Sequence, residues 1–236
     1  MIHRIHNDSN NTDSSHKNAP HLLPLWIKLL SAVFVALLVP VYWVQYGPTN
    51  FLWFSDIALF GSLAALWLEH RLIASTMAVA VLLPELAWNI DFFSQFILRV
   101  ELLGLSSYMF DDSIPLFVRL LSLFHVALPP LLLWLLYRLG YDRRALLIQT
   151  ALAWIVLPLT WLVTSPADNI NWVYGLGDQP QTLLPPLAYL ALLMLLFPLV
   201  TYLPTHAALC WLFAGNTLVK KRRKSSDIQQ HSSTAG

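Results

Sequence analysis

The chain has 236 residues, of which 57% are hydrophobic and only 11% charged, with a mean hydropathy of +0.58. A soluble domain carries about 25% charged residues, so this composition excludes a water-soluble globular protein. The formal net charge of +1 carries no message by its size, and no folded basic domain is present to bind nucleic acid.

Residues 1–21 are rich in Asn, Ser, Asp and His without apolar periodicity, and we expect them to form a disordered tail. Six apolar stretches follow, near 22–45, 50–69, 71–90, 114–137, 145–164 and 183–214. Runs of about 20 residues are long enough to cross a bilayer core of about 30 Å. The sequence thus predicts an all-α polytopic membrane protein with one transmembrane domain over 22–214. The first span is followed by YWVQYGPTN, which lacks a small-residue cleavage pattern, so it reads as a retained helix. Residues 92–103 (FFSQFILRVELL) put Phe92, Phe93, Phe96, Ile97 and Val100 on one helical face. They read as a short interfacial helix or, equally, as an extension of the third span. The last stretch exceeds one crossing and is expected to tilt or kink at Pro198 and Pro204. Residues 215–236 open with a basic run, Lys220 to Lys224, and end in a second disordered tail. Cys210, the single cysteine, excludes an intramolecular disulfide and a multi-cysteine metal site.

Lys and Arg set the expected orientation. Of 14 such residues, only Arg99 and Arg119 fall on the face opposite the termini. The other side holds Arg4, Lys17, Lys28, Arg71, Arg138, Arg143, Arg144 and the basic run. By the positive-inside rule both termini are then cytoplasmic. The basic run anchors topology and meets lipid headgroups. The loop-light build points to a bacterial inner membrane.

Ionisable side chains inside spans cost several kcal/mol and need a partner, a cavity or a function. His125 lies deep in the fourth span, with Arg119 and Ser122 at i−6 and i−3 on roughly the same face. Ser55 and Asp56 lie just inside the second span. Glu85 and Asn89, four apart, share a face near the end of the third, and Asp91 follows. Asp111 and Asp112 precede the fourth span, and Asp168, Asn169 and Asn171 lie in the fifth loop. All point to one zone in the extracytoplasmic half. Arg119 is expected to pair with Asp111, Asp112 or Asp91. Glu85 and Asn89 could bond to each other or to neighbouring helices, and Ser55 could bond to its own helix. No glycine-rich phosphate loop, paired cysteine or His-x-x-x-His pair occurs, so no metal or cofactor is expected.

Three segments carry a resemblance. NFLWFSDIALF (50–60), LSLFHVALPPLLLW (121–134) and DNINWVYGLGDQPQTLLPP (168–186) resemble, in order and spacing, segments of the YwaF-type bacterial membrane proteins and the transmembrane-protein-164 acyltransferase. More distantly, YGPTNFLWFSDIAL and FHVALP resemble segments of the androgen-induced-protein family of intramembrane lipid hydrolases. The cysteine of the first family falls on Ser55, whereas the threonine nucleophile of the second falls on Trp53, which cannot attack. The resemblance implies Ser55 as nucleophile and His125 as base. Asp56, Asn89 or Asp91 would then orient the imidazole, and Asn169 or Asn171 would donate to an oxyanion.

Three functions stay open on the sequence. One is a lipid acyl-hydrolase or acyltransferase using Ser55 and His125. Another is a small transporter or proton pathway lined by Asp56, Glu85, His125 and Arg119. The third is a non-catalytic membrane module. The expected partners are membrane lipids, with a membrane-embedded protein or a second copy of the chain as further candidates.

Overall fold

The computed structural model describes residues 22–177 and 179–213. The two expected tails and the basic run at 220–224 lie outside them. The described residues form six main helices: α1 Leu25–Tyr46, α2 Phe54–Leu68, α3 Arg71–Phe93, α4 Leu116–Leu139, α5 Ala145–Val163 and α6 Pro186–Phe213. All but α2 are long and apolar enough to cross a membrane. Much of the outer surface is large and apolar, with Trp26, Leu30, Val44, Leu147, Ile155, Leu162 and Trp211 all exposed. Such a surface suits lipid, not water. The chain is an all-α, polytopic, integral membrane protein.

α3 is the axis of the bundle. More than half of its most apolar window (56%) is buried, against 17% for α1 and 22% for α6. It packs on α2, α4, α5 and the middle of α6. Every residue from Ala74 to Val81 is buried, and the alanines at 74, 78 and 80 let neighbouring helices approach closely. Gly61 of α2 faces Met77 so closely that a Cβ there would sit 2.2 Å from its Sδ.

Polar side chains fix the ends of the bundle. Only Glu69 and His70 separate α2 from α3, with Glu69 in the left-handed region at φ 48°. Its carboxylate accepts from Lys28 Nζ at 2.7 Å and from the Leu22 and Leu23 amides, which ties the start of α1 to this turn. Asp142, between α4 and α5, takes hydrogen bonds from Arg71 and Arg144. Hydrogen bonding by Arg144, opposed by burial, holds the Asp142 carboxyl well below the usual carboxylate range.

Residues 92–103 do not form a separate interfacial helix. Residues 92 and 93 finish α3, and Ser94–Leu98 continue it as a π turn that stops at Arg99, in the left-handed region at φ 60°. The extended-span reading is therefore the one adopted. α6 also carries a π turn, Phe197–Tyr202, rather than a sharp break. Pro198 has no amide hydrogen to give, which favours the wider turn.

Candidate functional site

At the end of the bundle where α1 stops and α2 starts, the helices part around a cavity of about 870 Å³. Its walls come from α1, α2, α3, α4 and α6 and from the three connections at that end. A volume of this size falls within the roughly 300–1,000 Å³ typical of ligand pockets.

His125 is brought to the wall by a local tightening of α4. Backbone bonds of i→i+3 type run Ser122 to Arg119, Leu123 to Leu120, His125 to Ser122 and Val126 to Leu123. Side chains three apart are eclipsed in such a turn, so Ser122 and His125 both face the cavity. The imidazole lies between two rings, with centroids 4.6 Å from Trp88 and 4.1 Å from Phe124, both stacked. Its Nδ1 meets both carboxylate oxygens of Glu85, at 3.0 and 2.9 Å. Glu85 is 2% exposed, so this is a desolvated pair. Asn89 clamps the same crossing, donating to the Glu85 and His125 carbonyls at 2.8 Å each. Ser122 is held by Tyr42 through a 2.6 Å bond between their hydroxyls.

Ser55 and Asp56 sit in the first turn of α2. That helix starts where Asn171 caps it, accepting from the Phe54 amide at 3.0 Å and donating to the Leu52 carbonyl at 2.8 Å. Asn171 does this from the left-handed region at φ 52°, which asparagine tolerates better than most residues. Ser55 lines the cavity half-buried, and no hydrogen bond joins it to His125. Asp56 lines the cavity too, yet is 3% exposed and has one carboxylate oxygen, Oδ1, without a hydrogen-bond partner among the described residues.

The remaining predicted residues have local tasks. Asp91 is fully buried outside the cavity, accepting from the Leu102, Leu103 and Ser106 amides and from the Ser106 hydroxyl. Asn169 lines the wall, but its amide donates to the Gly175 and Gly177 carbonyls and accepts from the Tyr174 amide. Arg119 pairs with Asp112 at 3.2 Å and donates to the Met109 carbonyl. Asp111 instead accepts from the Ser113 amide. The expected zone thus separates into cavity walls and the braces behind them.

Sequence reasoning passed over Tyr42 and Tyr46, both on the wall and in edge contact with ring centroids 5.2 Å apart. The available signal was two tyrosines four apart at the end of a mostly apolar helix. It also offered Asp56, Asn89 and Asp91 as orienting groups for His125. The carboxylate that reaches the imidazole belongs to Glu85.

No protein-family model, curated protein or solved structure matches the chain.

Proposed function

We propose that the protein is an intramembrane lipid acyl-hydrolase or acyltransferase in which Ser55 attacks and His125, held by Glu85, takes its proton. The observation that carries this reading is the Glu85–His125 pair on the wall of a cavity that also presents Ser55. With Glu85 ionised, Nδ1 of His125 carries hydrogen and donates to it, which leaves the Nε2 lone pair as the base. Ser55 Oγ then bonds to the ester carbonyl carbon while its proton passes to Nε2. Collapse of the tetrahedral adduct breaks the ester C–O bond, and Nε2 returns the proton to the departing alcohol. Water or an acceptor hydroxyl releases the acyl group by the same route reversed. Ser55 must close on Nε2 when substrate binds, a tightening common in acyl-transfer sites. The resemblance of residues 50–60 and 121–134 to the transmembrane-protein-164 acyltransferase family supports the same pair, whereas the more distant resemblance to the lipid hydrolases supports His125 alone.

The orientation fits this reading. Lys28, Arg71, Arg138, Arg143 and Arg144 cluster at the end of the bundle opposite the cavity. By the positive-inside rule that end is cytoplasmic, and the cavity opens in the extracytoplasmic half.

The test is labelling of the purified protein with a lipid-like fluorophosphonate, comparing wild type with Ser55→Ala, His125→Ala and Glu85→Gln. Labelling of wild type that vanishes in the first two and drops in the third is the expected result. A folded wild type that takes no label sinks the serine mechanism.

One observation favours a second reading, a proton or ion path. Ser62 and Thr160 are fully buried with hydroxyls that lack partners among the described residues, and the fully buried Tyr202 hydroxyl faces the Gln149 amide. Ser62 lies six residues along α2 from Asp56, toward the opposite end. Proton flux into proteoliposomes, abolished by Asp56→Asn, is the measurement that favours this path.

A further inference from the structure

The cavity is one-sided in charge. Among the described residues four carboxylates line it, from Asp56, Glu85, Glu101 and Asp168, and no Lys or Arg does. Glu85 has His125 as its partner. Glu101 is bonded by Ser107, and Asp168 by Ser165. Asp56 is as buried as Glu85, at 3% exposed, but differs from the other three in that its Oδ1 has no hydrogen-bond partner among the described residues. A buried carboxylate needs a proton or a positive charge beside it.

Aromatic rings make up much of the remaining wall near this end, including Tyr42, Tyr46, Trp53 and Trp172, while Trp88 lines it with its ring already stacked on His125 and Phe92. The face of such a ring attracts an organic cation within about 6 Å, more strongly where water is excluded. Among the described residues no three His, Cys, Asp or Glu side chains converge to hold a metal ion. The walls therefore suit a charge spread over alkylated nitrogen better than a bare ion.

We propose that the cavity binds the ammonium group of a cationic amphiphile, with Asp56 as counter-ion and the aromatic rings as its apolar surround. The inference concerns the same cavity as the acyl-transfer reading but does not need Ser55 to be a nucleophile. Ser55, the residue before Asp56, lines the same cavity as an ammonium held there. If both readings hold, the substrate is an ester of an amine-bearing lipid.

The experiment uses the full chain in detergent and reads tryptophan fluorescence, since Trp53 and Trp88 line the site. The probe is octyltrimethylammonium, with octyl sulfate as the charge control, both below their micelle-forming concentrations. Wild type and Ser55→Ala are expected to saturate with the ammonium probe and to respond at least tenfold more weakly to the sulfate. Asp56→Asn is expected to lose at least tenfold in affinity, and Asp56→Glu to recover most of it. Equal responses of wild type to the two probes overturn the proposal, even if Asp56→Asn does not fold. So does a folded Asp56→Asn that binds as wild type does, which leaves Asp56 as a protonated wall residue. Failure of fluorophosphonate labelling alongside intact ammonium binding removes the acyl chemistry and leaves this site standing.

Discussion

Glu85 grips the imidazole of His125 with both carboxylate oxygens, at 3.0 and 2.9 Å, across the contact between α3 and α4. The two side chains come from helices whose facing residues are otherwise mostly apolar. Neither can be removed without leaving the other stranded in a desolvated site. Removing the carboxylate leaves the neutral imidazole's Nδ1–H without an acceptor in a desolvated site, which costs about 1–3 kcal/mol. Glu85→Ala is therefore expected to destabilise the protein by about that amount, and Glu85→Gln, which keeps one hydrogen bond, by less. Denaturation in mixed micelles measures both, and a Glu85→Ala midpoint equal to wild type contradicts the pairing.

Asp91 predicts a local effect. Its carboxylate takes four hydrogen bonds from the connection between α3 and α4, three of them from backbone amides. Bonds to a charged acceptor contribute about 1.5–3 kcal/mol each. Asp91→Ala should release the segment around Leu102, Leu103 and Ser106 first, with the helices unaffected. Hydrogen exchange resolved by peptide reads this directly. Uniform protection across that segment in the variant counts against the assignment.

Asn171 acts on Ser55 from a distance, because it caps the helix whose first turn carries the serine. Asn171→Ala removes a cap of about 1–2 kcal/mol and loosens the first turn of α2. Fluorophosphonate labelling of Ser55 is expected to slow on the order of tenfold, about 1.4 kcal/mol in the barrier. Asn171→Asp keeps the acceptor for the Phe54 amide and should recover part of the rate. A rate equal to wild type in Asn171→Ala shows that the cap does not position the serine.

Acid should weaken the opposite end of the molecule. Burial raises the Glu69 carboxyl, but the Lys28 ammonium and the Leu22 and Leu23 amides outweigh it and bring it down to about 2, from an ordinary 4.5. A carboxyl depressed in the folded state stabilises above its unfolded value, and that contribution is lost as pH falls toward the folded value. Stability is expected to decline from about pH 4.5 to about pH 2. Glu69→Gln should flatten this part of the profile, as read by thermal midpoints at stepped pH. An unchanged slope in the variant assigns the acid sensitivity elsewhere.

A C-terminal fusion tests the orientation. Joined to the last residue, a green fluorescent protein should fluoresce and an alkaline phosphatase should be inactive, as for a cytoplasmic terminus. The reverse pattern puts the cavity on the cytoplasmic side and overturns the positive-inside assignment.

The helices were legible because twenty-residue apolar runs have few other uses, and the i, i+3 spacing of Ser122 and His125 announced a shared face. Which carboxylate would meet His125 was not legible. Spacing puts Glu85 and Asn89 on one face of α3, but only the crossing of α3 with α4 decides which of several nearby polar groups reaches the ring. Asp91 was equally ambiguous, since its partners lie 11 to 15 residues ahead in a connection without periodicity. The α2 cap was hidden for a similar reason: Asn171 is 117 residues from Phe54. Residues 92–103 looked amphipathic because the end of a span already meets the polar connection on one side. That produces the same pattern as a helix lying flat.

With 15 residues at 1.5 Å each, α2 is about 22 Å long, some 8 Å less than the hydrocarbon thickness of a typical bilayer. Its neighbours are full length, so the shortfall is local. Local thinning is one way a bilayer meets a short span, and thinning beside α2 would draw the glycerol and ester layer down toward its first turn. With such thinning, Ser55 and Asp56 stand at the floor of a dimple in the bilayer. On the acyl-transfer reading, a lipid substrate then reaches them by drifting sideways within its own leaflet, without being lifted out of it.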